Sequence, residues 1–220
     1  MAEVTIARIK VTLRDIRPPI WRRIEVPLQL TFRDLSDVIL AAFGWTNSHL
    51  HEFEIGRRHQ PGQRRIGMPE AFEEDDFFAP PDDVELAEIF PGLPLGQARL
   101  LVDPPLEDER LVTLAEALNP QIKRFTYTYD FGDNWRHDLL IEALLPAAPQ
   151  TAYPRVVAGR RATPPEDCGA VWGYEQLCEV LADPSHEEYA ELRDWCPHFA
   201  PEQFDLAAVD EAVRQPLDRE

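Results

Sequence analysis

The sequence predicts an α+β fold: an antiparallel or mixed sheet, one helix packed on it, and additional C-terminal helices. Three observations predict it. Residues 4–13 and 20–26 alternate apolar and polar side chains on either side of Arg17-Pro18-Pro19. Residues 125–131 and 135–144 alternate in the same way across Gly132-Asp133-Asn134. Helical spacing of apolar residues appears after Thr31 and again from Trp172 onward. Alternation places successive side chains on opposite faces of a strand, whereas a three-to-four-residue spacing builds one face of a helix.

The elements follow in order. In the first strand Ala7, Ile9, Val11 and Leu13 share one face and Arg8, Lys10 and Thr12 the other. Ile20, Ile24 and Val26 repeat the pattern, so the two runs pair as a hairpin across the prolines. Thr31, with Asp34 three residues on, opens a helix carrying Leu35, Val38, Ile39 and Ala42, and Gly44 stops it. Residues 49–55 form a third strand. Residues 57–105 differ in kind, with clustered arginines, then an acidic run, and prolines at 61, 69, 80, 81, 91, 94, 104 and 105. They read as a loop-rich insertion in a single domain spanning 1–220, with a helical turn at 84–90 and a strand at 98–102. A short capped helix at 113–118 precedes the second hairpin. Residues 153–170 read as a connection, followed by helices at 172–181, from Pro184 with Tyr189, Leu192 and Cys196, and after Pro201 with Phe204, Val209 and Val213.

The chain has 220 residues, enough to bury a core without staples. Its 22 Lys plus Arg against 40 Asp plus Glu give a formal charge of −18. That field opposes non-specific nucleic-acid binding, which is driven by phosphate neutralisation, and opposes an anionic membrane surface. No apolar run approaches the roughly 20 residues that cross a bilayer. The start lacks a basic and then apolar leader, so a cytoplasmic location is expected. Cys168, Cys178 and Cys196 are odd in number and form no close pair, which suits reduced thiols.

Five segments combine reactive groups with aromatics or glycine. They are Ile20-Trp21-Arg22-Arg23, Gly44-Trp45-Thr46-Asn47-Ser48-His49-Leu50-His51-Glu52-Phe53, Tyr127-Thr128-Tyr129-Asp130-Phe131-Gly132-Asp133-Asn134-Trp135-Arg136-His137, Tyr153-Pro154-Arg155 with Gly159, and Pro164-Pro165-Glu166-Asp167-Cys168-Gly169-Ala170-Val171-Trp172-Gly173-Tyr174. Together they resemble the plasmid pRi ORF-three-like family, some of whose members are passenger TnpR proteins of insertion elements. The resemblance covers residues 3–56 and 113–210. It implies association with plasmids and mobile elements and an α+β fold; it does not imply a reaction. One departure is Gly169-Ala170, where the family usually has two glycines; if the second needs a positive φ, the turn here must differ. The resolvase label does not carry over as a mechanism. Of Ser36, Ser48 and Ser185, only Ser48 is placed to act as a nucleophile, and the acidic C-terminal region lacks a DNA-binding module.

Strand parity suggests a metal centre. His49 and His51 share a face with Phe53 and Ile55, and His137 shares one with Trp135, Leu139 and Ile141. Each histidine lies near the start of its strand, so three imidazoles would meet at one end of the sheet, beside Asp130, Asp133 and the loop carrying Glu166, Asp167 and Cys168. These are ordinary ligands of a divalent transition metal. The alternative is three hydrogen-bonded histidines at the edge of the core, with the aspartates capping a turn. Arg22 has core parity and calls for Asp130, Asp133 or Glu166 as partner, or else forms an anion site. Trp21, Trp45, Trp135 and Trp172 are packing residues or line an aromatic pocket. Cys168, beside two carboxylates, is not set up as a nucleophile.

Three functions remain. The first is a mobile-element accessory protein that binds a protein or small ligand through Arg22, Trp45, Trp135, Glu166, Asp167 and Trp172. The second is a metal-dependent, hydrolase-like enzyme using His49, His51 and His137 with Asp130, Asp133 or Cys168. The third is a DNA-binding accessory protein of transposition, which requires Arg57, Arg58, Arg64, Arg65, Arg160 and Arg161 to form one face.

Overall fold

The alternating N-terminal runs form β1 (Thr5–Leu13) and β2 (Trp21–Pro27), paired antiparallel with Ile9 opposite Ile24. A computed structural model describes residues 4–68, 83–118 and 121–215. The acidic run from Glu70 lies largely outside them. Thr31 caps α1 (Phe32–Phe43) with a complete capping box, since the Asp34 amide donates to Thr31 Oγ1 at 3.2 Å and the Thr31 amide donates to Asp34 Oδ2 at 3.0 Å. Gly44 ends the helix in the left-handed conformation, which costs glycine nothing.

After α1 come β3 (His51–Ile55), β4 (Arg64–Gly67), α2 (Asp83–Ile89), α3 (Leu95–Ala98), β5 (Leu106–Asp108) and α4 (Leu114–Ala117). The second hairpin is β6 (Arg124–Tyr129) and β7 (Trp135–Pro146); then follow β8 (Arg155–Arg160), α5 (Ala170–Ala182), α6 (Tyr189–Trp195) and α7 (Leu206–Ala212). Eight strands among the described residues form one mixed sheet in the order β5-β4-β3-β6-β7-β1-β2-β8. Every pairing is antiparallel except β4 with β5.

Four expectations are corrected. Residues 98–102 complete α3 and a turn instead of forming a strand. Two strands stand where only loops were expected: β4 is short and opens with two half-buried arginines, and β8 is hidden among prolines and charges. No helix starts at Pro184, because Asp183 accepts from both the amide and hydroxyl of Ser185 in a turn and α6 begins only at Tyr189. His49 precedes β3, so strand parity does not govern it.

One face of the sheet is aromatic. Register places Phe53, Tyr127 and His137 in one row and His51, Tyr129 and Trp135 in the next. Helix α1 closes this face: Phe32 meets Phe53 edge-on at 5.0 Å, and Ser36 Oγ lies 2.8 Å from the Tyr127 hydroxyl.

Candidate metal centre

Three loops reach the same end of the sheet: 44–50 after α1, 130–134 between β6 and β7, and 161–169 before α5. Hydrogen bonds lock them together. The Trp45 indole N–H donates to the Pro164 carbonyl at 3.0 Å. Glu166 accepts from the Thr46 hydroxyl and the Tyr129 hydroxyl, both at 2.6 Å, and from the Thr46 amide. The Ser48 amide in turn donates to the Tyr129 oxygen at 3.1 Å. Burial and the Glu166 charge hold Tyr129 as the neutral phenol.

This brace brings together His49, Asp130 and Asp167. His49 Nε2 is 3.8 Å from Asp130 Oδ2 and 3.4 Å from Asp167 Oδ1, and one ligand atom from each of the three residues lies within 4.8 Å of the others. Neither distance is a direct hydrogen bond. Both suit two ligands of one ion, since tetrahedral bonds of about 2.1 Å put neighbouring ligands about 3.4 Å apart. Asp130 has a divided role. Its Oδ1 accepts from the Gly132 and Asp133 amides, which fixes the carboxylate and leaves Oδ2 facing His49. Asp133, a sequence candidate for the centre, is not among these three donors; its buried Oδ2 has no hydrogen-bond partner among the described residues. Its charge also reaches Cys168, whose thiol is pushed up to about 12 by burial first and Asp133 second. An unpaired buried carboxylate oxygen is costly, and a cation nearby would lower that cost.

The other histidines do not join this cluster. His51 Nε2 lies 2.6 Å from Glu109 Oε2 in a buried hydrogen-bonded pair. His137 is fully buried between Phe43, Trp45 and Tyr127, with Nδ1 at 3.3 Å from the Tyr127 carbonyl. Strand parity placed both correctly on the inner face, but facing inward put them on different partners. The Cys168 thiol is turned toward the Ala170 carbonyl, 4.0 Å away.

Burial pushes the His137 imidazole down to about 3. Below about pH 6.5 the unfolded chain therefore takes up a proton that the folded chain refuses, and stability is lost as pH falls. At pH 5 the loss amounts to about 2 kcal/mol. We expect His137→Phe to show a smaller drop in melting temperature between pH 7.5 and pH 5 than the wild type; an equal drop would contradict this assignment.

Arg22 has no carboxylate partner among the described residues, contrary to what its burial called for. It donates to the carbonyls of Ala42 (2.9 Å), Trp21 (2.9 Å) and Arg160 (3.0 Å) and to Thr163 Oγ1 (3.1 Å), and it lies against the rings of Phe43 and Phe204. Burial lowers its pKa to about 10. It is a tie between β2, α1 and β8 and has no free N–H fork for an anion. Trp45 and Trp135 are core residues, 5.9 Å apart between ring centres. Trp172 is not a packing residue, being 83% exposed on α5. Ala170 adopts φ 60°, so the Gly169-Ala170 turn keeps a left-handed residue at its second position and alanine bears the strain.

The arginine groups do not form one face. Arg64 and Arg65 lie on β4 and Arg160 on β8, six strand spacings or about 29 Å away across the sheet. Arg58, Arg64, Arg65 and Arg161 are paired with Asp103, Glu107, Glu52 and Glu202. Ser48 bonds Thr46 and is not placed among them.

A cleft of about 230 Å³ adjoins the cluster on the far side of Asp167, between α5 and α6. Sequence reading missed it, because its wall residues are spread along two helices with no local motif. No helix among the described residues is long and apolar enough to cross a membrane.

A family model described as plasmid pRiA4b ORF-3-like protein matches residues 5–208. The uncharacterised protein y4hQ of Sinorhizobium fredii is 34% identical over 206 residues, covering 94% of this chain and 87% of that one. The crystal structure of a protein of unknown function from Methanosarcina mazei Go1 is similar with a TM-score of 0.73 at 34% identity, covering 94% of this chain and 98% of that one.

Proposed function

The chain belongs to the plasmid pRiA4b ORF-3-like protein family, and on that basis we propose that it is a cytoplasmic accessory protein of mobile elements whose working site is a divalent transition-metal centre formed by His49, Asp130 and Asp167. The observation that carries the metal assignment is the 3.4 and 3.8 Å spacing of the imidazole from two carboxylates on separate loops. Three protein donors leave coordination positions for water or a bound molecule, and a metal there would supply Lewis-acid chemistry. Arg22, Trp45, Trp135 and Glu166 then serve to hold the three loops in place, and exposed Trp172 remains the side chain on offer to a partner. The same proposal takes residues 1–220 as one domain in which 57–105 is an insertion, consistent with α7 lying on both β8 and α1.

Elemental analysis of tag-free protein, with titration by zinc, manganese and nickel, tests the centre. One equivalent of metal is expected. His49→Ala combined with Asp167→Asn should weaken binding by about 100-fold or more, against the 10- to 100-fold typical of losing a residue that merely supports a ligand. The melting temperature should stay near the wild-type value, because neither side chain is buried. Failure of the wild type to take up any of the three metals, or unchanged uptake by the double variant, would reject the centre.

A further inference from the structure

We infer that the cleft between α5 and α6 binds a compact organic cation, an ammonium or guanidinium group on a short alkyl stem, next to the metal centre. Its walls are chemically divided. Asp167 and Glu188 supply two carboxylates, Gln176 an amide, and Leu177, Leu192 and Trp195 an apolar lining. No basic residue among the described residues lines it. The nearest arginine in sequence, Arg193, is occupied by the carbonyls of Cys196, Pro197 and Phe199.

Each feature narrows the ligand. The Trp195 indole is 49% exposed, which leaves ring surface for a cation to approach. Among the described residues Glu188 accepts a single side-chain bond, 3.3 Å from Gln176, so its carboxylate keeps acceptor capacity for an ammonium. The volume of about 230 Å³ is below the roughly 300–1,000 Å³ of pockets for drug-sized molecules and fits a single side chain or small amine. Leucines on the wall match an alkyl stem. The chain's −18 charge adds a long-range attraction for cations.

Asp167 belongs to both places, as a donor near His49 and as part of the cleft wall. Only the direction in which the bound molecule points rests on the metal proposal: its cationic end sits by Glu188 and its other end faces His49. Occupancy of the cleft does not depend on metal.

Binding of N-acetyl-lysine methylamide, followed by calorimetry and tryptophan fluorescence, tests the inference against the neutral isostere N-acetyl-norleucine methylamide. The lysine probe should bind at least about 10-fold more tightly, and Glu188→Gln should remove most of that preference. Trp195→Leu should weaken the lysine probe about 2- to 5-fold, the value of an exposed cation–π contact. His49→Ala, which removes one donor of the proposed metal site and none of the cleft wall, should still bind the lysine probe, so failure of the metal proposal and failure of this one are separable. Equal affinity for the norleucine probe, an unaltered Glu188→Gln variant, or no binding up to the solubility limit of the lysine probe would each overturn it.

Discussion

Gly173→Ala should destabilise the protein by about 3 kcal/mol or more and weaken metal uptake in the same variant. A methyl group at Gly173 would stand 1.8 Å from the Cys168 carbonyl oxygen and 2.8 Å from its carbon. Both atoms are backbone, so no side-chain rotation relieves the overlap. The Cys168 peptide must move off α5, or α5 must shift, and Asp167 is the adjacent residue. The Gly173 amide also donates to the Gly169 carbonyl at 2.9 Å, which ties the same turn to the helix from the other side. Gly96→Ala is the control, since nothing lies within 4 Å of a methyl there and the backbone is ordinary helix. It should leave the melting temperature unchanged or slightly raised. If Gly173→Ala melts like the control, the close approach of the Asp167–Cys168 loop to α5 is wrong, and with it the placement of Asp167 near His49.

The sheet was legible where burial is one-sided. β1, β2, β6 and β7 alternate because one face meets α1 or the core and the other meets solvent, so the pattern records the register directly. Thr31 with Asp34 and Thr113 with Glu116 were legible for a different reason, because a capping box is written within four residues. β4 and β8 were not. In β4 the half-buried arginines Arg64 and Arg65 point to opposite faces, and each is held by a carboxylate from another segment, Glu107 and Glu52. β8 follows prolines and holds its place by pairing with β2, through Arg155 to the buried Glu25. Such pairings are tertiary facts that no local window contains.

The candidate site was half legible for the same reason. Reactive residue types marked the right loops, and His49, Asp130 and Asp167 were all named from them. Strand parity then grouped His49 with His51 and His137, because it assumed that β3 begins at His49. The strand begins two residues later, and the register puts His51 beside Tyr129. The true partner of His51, Glu109, lies in the turn after β5, where nothing in its neighbours distinguishes it from any solvated glutamate.

Glu109→Ala should therefore be among the most damaging single changes in the molecule, costing about 3–5 kcal/mol. The carboxylate is 1% exposed and lies 2.6 Å from His51 Nε2 and 3.1 Å from Arg33 Nη1, with Arg33 continuing to Asp37 at 3.6 Å. Removing it leaves two cationic or polar groups inside the protein without their anion, a heavier penalty than the pair's net attraction. A double-mutant cycle separates the two quantities. Glu109→Ala with His51→Ala should cost less than the sum of the single changes by about 1 kcal/mol or more, since the second change removes what the first stranded. Burial alone would raise the Glu109 pKa, but His51 and then Arg33 outweigh it and hold the carboxyl below its ordinary value. Its stabilisation is thus present above the ordinary carboxylate range and is lost as pH falls through the lowered folded value. The deficit of Glu109→Ala relative to wild type should shrink accordingly in acid. At temperatures where the variant is folded its metal uptake should match wild type, because His51 and Glu109 form a pair separate from His49, Asp130 and Asp167. A cost below about 1 kcal/mol, or strictly additive single changes, would show that the buried pair does not stabilise β3 against the β5 turn.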